Sequence, residues 1–308
     1  MNLNYKMYTL EFPVGVHLGK NALDDTDICV HADTLFSALC HEALKMECLE
    51  QLVQWTSENK LLFSDSFPYM DNQFYLPKPI VWMEHREDKG DSSLKKSYKK
   101  MQYIVSDFLE DYFGGTYPRD SMDLLEQLGS YSMKVSVSIR GQEEPLPYRV
   151  RYYVFADGAG LYLLVGYKSQ EQLELFDMLM NALSYSGIGG KRSAGYGRFC
   201  CHQVDIPSHI GKWLSCEGQY QMLLSTALPE DSEMIQVLNN ASYELIRRSG
   251  FIASETYAKQ QMRKRDLYVF RAGSCFRRAF CGELRDVSDG GRHPVYRYAK
   301  GMFMGVNL

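Results

Sequence analysis

The feature that most constrains the fold is the order in which two helix-period segments alternate with strand-like runs. The first segment, residues 31–52, repeats apolar residues at helical spacing after Asp33, its predicted N-cap. The second, residues 170–185, shows the same period. The resulting order is strand, helix, strand, strand, helix, strand, the pattern of a ferredoxin-like (RRM-like) unit, so we expect an α+β fold. The predicted buried faces are Leu35, Phe36, Leu39, Ala43 and Met46 in the first helix and Leu173, Phe176, Met180 and Leu183 in the second.

Short apolar or alternating runs supply the predicted strands. Residues 5–12 are the first strand, and "MKVSVSIR" (133–140) alternates cleanly. "YRVRYYVF" (148–155) and "GLYLLVGY" (160–167) flank the turn "ADGAG", which predicts that these two runs form a hairpin. "YGRFCCHQVDI", from residue 196, follows as the last strand of the unit.

The length of the chain, 308 residues, favours two domains. We expect residues 1–207 to form the first unit, with a long insertion at about 80–148 between its second and third strands. Residues 208–308 are shorter and less regular, and they predict a degenerate second unit of the same kind. The boundary is expected near Pro207.

Charge is distributed unevenly around a formal net charge of −4. That net charge argues against a protein that coats nucleic acid indiscriminately. Residues 259–278 nevertheless carry seven cations and one acidic residue, whereas residues 24–58 are strongly acidic. One face should therefore be basic and another acidic, suited to different partners.

Cysteine spacing and hydropathy indicate the cellular compartment in which the protein is expected. The eight cysteines show no C-x-x-C spacing and predict reduced thiols. No apolar run is long enough for a membrane helix, and the first residues lack a secretory apolar region. We expect a cytoplasmic protein that does not contact a membrane.

The loop after the second helix, "SYSGIGGKRSAGYGRF" (184–199), contains five glycines and three cations. It is neither a Walker A loop nor a dinucleotide fingerprint, because Tyr185, Arg192 and the missing third glycine break those patterns. One interpretation is a helix C-cap at Gly187 followed by a surface turn. The alternative, which we favour for the whole loop, is a surface for single-stranded RNA. Its predicted contacts are Gly187, Ile188, Gly189, Gly190, Lys191, Arg192, Ser193, Gly195, Tyr196, Gly197 and Arg198: phosphates on the cations and backbone amides, and a base stacked on the tyrosine.

These residues carry a family resemblance. "GIGGKRSAGYGRF" resembles the glycine-rich loop of the RAMP superfamily, the RNA-binding subunits of CRISPR systems. "HADTLFSALCHE" from His31, "PYRVRYYVF" from Pro147 and "HPVYRYAKGMFMGV" from His293 are similar to the fourth Csm subunit of type III-A effector complexes. The resemblance covers nearly the whole chain.

The resemblance implies a non-catalytic subunit, and we expect neither a cofactor nor a metal. It implies that the chain grips the 5′ handle of the CRISPR RNA (crRNA), docks the large polymerase-like Cas subunit and contacts an adjacent backbone RAMP subunit. Residues Gly187 to Arg198 would hold the handle, and the helix start from His31 to Thr34 would lie beside the RNA backbone. A helix start attracts phosphate, although Asp33 opposes it. The insertion would form a thumb that displaces a base.

Catalysis is the alternative, because some RAMP relatives cleave precursor crRNA with a histidine. His31 is the candidate general acid or base, with His17, Lys191 or Tyr196 completing a site. The opposing interpretation is that His31 donates a hydrogen bond to RNA or to its own turn.

Three further interpretations stay open. The first concerns His293 and Arg297: they bind RNA, or they belong to an edge strand in which tyrosines occupy alternate positions. Cys200, Cys201 and His202 are poorly placed for a metal, since adjacent strand residues face opposite sides. A protein–protein adaptor without RNA contacts is the third, and the glycine-rich loop argues against it.

Overall fold

The computed structural model describes residues 3–20, 22–81, 98–121, 124–138, 146–254 and 256–307. The strands are β1 (Asn4–Glu11), β2 (Leu18–Gly19), β3 (Thr26–Asp27), β4 (Leu61–Phe63), β5 (Phe67–Met70), β6 (Gln73–Pro77), β7 (Tyr103–Val105), β8 (Gly129–Ser138), β9 (Leu146–Phe155), β10 (Ala159–Tyr167), β11 (Cys200–Val204), β12 (Tyr220–Leu223), β13 (Leu245–Arg248), β14 (Leu267–Phe270), β15 (Cys275–Phe276), β16 (Gly282–Asp286), β17 (Tyr296–Lys300) and β18 (Phe303–Val306). The helices are α1 (Ala32–Lys45), α2 (Leu49–Ser57), α3 (Leu109–Gly114), α4 (Gln170–Ser186), α5 (Ser208–Leu214) and α6 (Met234–Leu238).

The main sheet is antiparallel and has the order β11-β1-β10-β5-β6-β7, with β4 pairing with the far end of β10. β1 and β10 lie at its centre, where Met7 is opposite Leu164. β11 pairs with the other edge of β1, so that Thr9 is opposite His202. The mixture of helices with antiparallel strands is an α+β architecture, as predicted.

Both faces of the central strands are apolar, because each face packs on a different layer. Leu10, Leu161 and Leu163 face the core that α1 and α4 cover. Met7 and Leu164 belong to a second core on the opposite face. The two helices therefore lie on one side of the sheet.

The C-terminal part of the chain covers the second face. β12 lies between β15 and β18 in a three-stranded sheet, and Met222, Met302 and Met304 from this region share a core with Met7 and Leu164. Shorter pairs, β13–β14 and β16–β17, complete this part. The family-like motif from His293 includes β17, whose Tyr298 instead packs into the α1 core.

The predicted first helix is wrong in length and in its N-cap. It divides into α1 and α2 at Glu47, whose φ of +59° is a left-handed conformation that ends α1. His31 occupies the N-cap position, and Asp33 lies in the first turn. Met46 is partly exposed rather than buried. The second helix is confirmed, with its predicted face buried and Ser169 N donating to the Gln172 side chain at its start.

The predicted hairpin between residues 148–155 and 160–167 is also wrong. β9 pairs with β8 along its whole length, whereas β10 pairs with β1, β4 and β5. The turn at Asp157 and Gly158 thus connects two different sheets. β8 lies in the predicted insertion (about 80–148), whereas most of β9 lies in the run that was predicted as a separate strand. Residues 82–97, 122–123 and 139–145 of the insertion lie outside the described part of the chain. Of the cysteines, all eight are free.

None of the described helices has both the length and the apolar character that a membrane crossing requires.

Candidate nucleic-acid interface

The glycine-rich loop is held by hydrogen bonds to the segment after β1. α4 ends where Gly187 N donates to Leu183 O, at 2.7 Å. Gly190 N then donates to His17 O, and Gly197 N donates to Gly15 O, each at 2.9 Å. These amides are therefore engaged inside the protein. The side chains of the loop, rather than these amides, are therefore the groups available to contact a ligand.

The spacing of the glycines has a structural cause. A Cβ at Gly197 would lie less than 3.0 Å from the Ile188 carbonyl oxygen, and one at Gly189 would meet the His17 carbonyl in the same way. Gly187, Gly189, Gly195 and Gly197 all have positive φ. At Gly195 a Cβ would meet nothing within 4 Å. Most of these glycines therefore allow the loop to pack against its own neighbours.

The cations of the loop differ in their surroundings. Lys191 Nζ lies 3.2 Å from Tyr148 Oη and 4.4 Å from the centre of that ring. Arg192 and Arg198 are exposed, and among the described residues no carboxylate lies within 4.0 Å of either guanidinium. Ser193 is exposed beside Arg192. The two arginines are thus available for an anionic partner.

Ile188 and Tyr196 are buried parts of the loop. Tyr196 is 7 % exposed, and its ring centre is 4.6 Å from that of Tyr152 on β9. Ile188 is 2 % exposed and belongs to the α1–α4 core. Both anchor the loop, and the loop in turn contacts the β8–β9 ribbon.

The start of α1 carries a buried ion-pair cluster that sequence reasoning did not find. Asp33 accepts from Arg248 Nε at 3.0 Å and Nη2 at 2.7 Å, and from Arg297 Nη1. Burial alone would raise the pKa of Asp33, but Arg248 and Arg297 hold it well below its usual range. Arg248 Nη2 also donates to Thr34 Oγ1 at 3.0 Å. The charge of Asp33 is therefore neutralised, which removes its opposition to an anion at the helix start.

The carboxylate of Asp65, in the connection between β4 and β5, holds the His31 side chain in place. Nδ1 of His31 lies 2.7 Å from Asp65 Oδ2, and the histidine side chain is 16 % exposed. Burial lowers the pKa of His31, whereas the acidic groups of Cys29 and Asp65 raise it, and the net direction is upward. The imidazole is thus favoured in its protonated form, a hydrogen-bond donor for phosphate.

A cleft of about 350 Å³ joins the glycine-rich loop to the start of α1. Its walls include the segment 248–253 and two exposed aromatic side chains, Phe251 and Tyr296. Its basic residues outnumber its acidic ones. The basic lining residues are Lys20, His31, His41, Arg192, Arg248, Lys264 and Arg297, and the acidic ones are Asp27 and Asp33.

Two titratable groups in the cleft have lowered pKa values and basic neighbours. The pKa of Lys264 is lowered by burial and by the nearby Arg297 and Arg248. The pKa of His41 is lowered by burial, Arg192 and Lys264. Burial is the largest cause of both shifts, and the neighbouring cations add to it; a group of cations at this position also attracts an anion.

The structure brings together some of the predicted site residues and separates others. The cleft is lined by Gly187, Ile188, Gly189, Gly190, Arg192, His31, Thr34 and Arg297. Lys191, Ser193, Gly195, Tyr196, Gly197 and Arg198 belong to the loop but do not line the cleft. His293 lies elsewhere, with Nε2 2.8 Å from Ser254 Oγ. Arg248 and Lys264 were missed as individual residues, although the excess of basic residues at 259–278 was the available signal for Lys264.

A second cleft, of about 370 Å³, lies beside α4 and β11. Asp177 is its charged lining residue, next to Tyr8 and Gln203. A carboxylate repels phosphate, so this cleft does not suit RNA.

The residues predicted to assist His31 in catalysis are engaged elsewhere. His17 is buried, with Nδ1 2.6 Å from Arg151 O. Lys191 contacts Tyr148, and Tyr196 packs on Tyr152. Within the described residues, the Asp65 carboxylate and the Cys29 thiol contact His31 Nδ1.

Comparison with protein families gives a match at the C-terminal end of the chain. Residues 216–306 match the family model described as the CRISPR Csm4 C-terminal domain. A "CRISPR system Cms protein Csm4" from Mycobacterium tuberculosis is 35% identical over 306 residues, covering 99% of this chain and 98% of the relative. A protein of the same name from Streptococcus thermophilus is 31% identical over 314 residues, covering 99% and 100%.

Solved structures share the fold. A chain of the Csm3–Csm4 subcomplex of the type III-A CRISPR-Cas interference complex superposes with a TM-score of 0.69, at 17% identity, covering 98% of this chain and 100% of that one. A chain of the Csm1–Csm4 cassette in complex with AMPPNP superposes with a TM-score of 0.62, at 19% identity, covering 99% and 98%.

Proposed function

Because the chain belongs to the Csm4 family of CRISPR proteins, we propose that it is the subunit that caps the 5′ handle of crRNA in a type III-A ribonucleoprotein. Its role is to position RNA rather than to cut it. The basic cleft between the glycine-rich loop and α1 is the observation that carries this proposal. The Csm1–Csm4 and Csm3–Csm4 assemblies named for its structural relatives support docking to a large polymerase-like subunit and to a backbone RAMP subunit.

The fold that presents this cleft is, in our proposal, a ferredoxin-like unit in residues 1–207 and a degenerate one in residues 208–308. The sheet order β11-β1-β10-β5, with α1 and α4 on one face, supports the first unit. The C-terminal family match, which begins at residue 216, supports a boundary near residue 207.

The handle enters the cleft through phosphate contacts. One phosphate lies at the start of α1, where the His31 imidazole and Arg192 converge on the side that Asp33 no longer opposes. Lys264 faces the same space. Phe251 and Tyr296 offer stacking surfaces for a base. Lys191, Ser193 and Arg198 extend the path outside the cleft.

Several of the predicted contact residues act indirectly in this proposal. Arg297 is 4 % exposed and holds Asp33, so it keeps the start of α1 receptive to an anion. Tyr196 and Ile188 fix the loop, and the glycines allow it to approach His17. His293 contacts Ser254 Oγ and lies outside the cleft.

The β8–β9 ribbon is the candidate thumb. Val135 and Val137 are more than half exposed on one of its faces, and Met133 is nearly as exposed. Tyr148 and Tyr152 attach the other face to the glycine-rich loop. Apolar side chains of this kind displace a stacked base, so the ribbon is placed to shape the exit of the handle toward the guide.

The competing function is an endoribonuclease that processes precursor crRNA. The His31–Asp65 pair favours it, since a carboxylate commonly orients a catalytic histidine. His41 and Lys264 line the same cleft as this pair, so a second acid or base is present and cleavage has to be measured together with binding.

One experiment tests both functions. Labelled RNA with a CRISPR repeat is titrated with wild-type protein, Arg192→Glu, Lys264→Glu and, as the matched charge reversal away from the cleft, Lys168→Glu. We expect each cleft variant to weaken binding about tenfold and to reduce the slope of log affinity against log salt by about 0.7 for each phosphate that the variant no longer neutralises.

Lys168→Glu should bind like the wild type. Equal effects at all three positions, or no effect at either cleft position, would contradict the cleft assignment. Cleavage that His31→Ala abolishes would replace the capping function with the processing one.

A further inference from the structure

Beneath the cleft, three side chains with metal-binding groups converge: Cys29, His31 and Asp65. Their ligand atoms all lie within 4.8 Å of one another. His31 Nδ1 is 2.7 Å from Asp65 Oδ2 and 3.8 Å from Cys29 Sγ. We propose that these side chains bind a zinc ion, with Sγ, Nδ1 and Oδ2 as ligands.

The His31–Cys29 and His31–Asp65 separations are close to those of a tetrahedral zinc site, and the Cys29–Asp65 separation, which is within 4.8 Å, has to close to about 3.5 Å on binding. Typical zinc–ligand bonds place neighbouring nitrogen and sulfur ligands about 3.5 Å apart and neighbouring nitrogen and oxygen ligands about 3.3 Å apart. The distance from His31 Nδ1 to Cys29 Sγ is about 0.3 Å longer than the nitrogen–sulfur spacing. The distance from His31 Nδ1 to Asp65 Oδ2 is about 0.6 Å shorter than the nitrogen–oxygen spacing, so these two atoms must move apart by that amount when zinc binds. Small rotations of partly exposed His31 provide these changes.

The surroundings orient the ligands. Asp65 Oδ1 accepts from the backbone N–H groups of Ala32 and Thr226, each at 2.8 Å, which directs Oδ2 toward His31. These two backbone contacts on Asp65 are of the kind that fixes ligand geometry in metal sites. The Cys29 thiol donates to the Ser66 carbonyl oxygen at 3.2 Å, and zinc binding releases this proton and breaks that hydrogen bond.

Charge and ligand type favour Zn²⁺ over other common cations. A thiolate and a carboxylate balance the two positive charges, and a sulfur–imidazole–carboxylate set suits zinc rather than Mg²⁺ or Ca²⁺. Arg248, the neighbouring cation, directs its Nε and Nη2 to Asp33. It is therefore already paired beside the site.

Cys29 and His31 both line the cleft, so water reaches the fourth coordination position. Three protein ligands with one open position form a recognised type of zinc site. The metal displaces the proton that His31 Nδ1 shares with Asp65 and leaves the Nε2–H group free to donate to phosphate, so zinc binding does not depend on RNA binding. A failure of either proposal leaves the other intact.

The test measures bound zinc in the full-length protein. Four proteins are compared: the wild type, Cys29→Ser, Asp65→Asn and the control Cys40→Ser, which changes a cysteine on α1 outside the cluster. Each is equilibrated with Zn²⁺ and freed of excess metal, and its zinc content is measured by elemental mass spectrometry. We expect about one zinc per chain for the wild type and Cys40→Ser, and at least a tenfold lower affinity for the other two.

Co²⁺ gives an independent measurement on the same proteins. The wild type should show the intense visible bands of tetrahedral cobalt and a thiolate-to-cobalt band in the near ultraviolet, and Cys29→Ser should lose the latter. If position 29 or 65 does not tolerate substitution, His31→Gln, at a partly exposed position, takes its place and should lose zinc. A wild type that retains no zinc, or foldable ligand variants that retain it fully, would overturn the proposal.

Discussion

At the scale of single residues, the glycine-rich loop shows why a glycine count does not identify a ligand. Gly189 and Gly197 are required because their own neighbours, His17 and Ile188, approach too closely for a side chain. Gly195 has the same left-handed backbone without that crowding. The function of the loop therefore depends on Arg192 and Arg198, which the glycines only position.

Alanine at these glycines should separate crowding from backbone strain. Gly195→Ala should cost about 1 kcal/mol of unfolding free energy, since its cost is the left-handed backbone alone. Gly197→Ala should cost more, about 3 kcal/mol, because the added Cβ also displaces the Ile188 carbonyl. Urea denaturation of the two variants measures both values. Equal losses would show that crowding at Gly197 is unimportant.

At the scale of elements, local periodicity predicted what local forces decide. Buried residues at helical spacing identified α4, and alternation identified β8. The hairpin prediction failed because β10 finds its partners in β1, β4 and β5, far away in the sequence, rather than across a short turn. The division between α1 and α2 was missed because apolar residues keep the same spacing across it.

The candidate site was predictable in part for the same reason. The loop and His31 were visible as local motifs. The Asp33–Arg248 pair joins residues 215 positions apart, and the His31–Asp65 pair joins residues 34 apart. No local pattern specifies such a pairing, since the tertiary fold creates it.

The division between α1 and α2 itself gives a prediction. Glu47 adopts φ of +59° at the end of α1, a conformation in which glycine has no side-chain penalty. Glu47→Gly should therefore raise the free energy of unfolding by about 0.5 to 1 kcal/mol. Glu50→Gly, in the first turn of α2, is the matched control and should lower it by about 1 kcal/mol. Thermal or urea unfolding that ranks these variants in the opposite order would refute this account of the helix end.

At the scale of the whole molecule, the two parts of the chain share one interior. Met7 and Leu164 on the main sheet pack in the same core as Met222 and Met304 of the C-terminal part. Asp65 likewise accepts from Thr226 N across this junction. The two proposed units are therefore joined by a buried apolar interface rather than by a flexible linker.

This shared core predicts that neither part is stable alone. Residues 1–207 expressed without the rest should expose the second face of the main sheet and aggregate, because an apolar surface of that kind drives association. Co-expression of residues 208–308 should restore a soluble pair, detected as co-elution in size-exclusion chromatography. A monomeric, cooperatively unfolding 1–207 fragment would show instead that the interface is dispensable.

The proposed function requires that the cleft between the glycine-rich loop and α1 hold the crRNA handle. Photo-crosslinking tests it most directly, with 4-thiouridine placed at each handle position of RNA in the assembled complex and the attached peptides identified by mass spectrometry. Handle binding in this cleft should give crosslinks to residues 187–198, to residues 248–253 and to the Tyr296 region. Handle crosslinks confined to the cleft at Tyr8 and Asp177, or absent from this chain while other subunits are labelled, would contradict it.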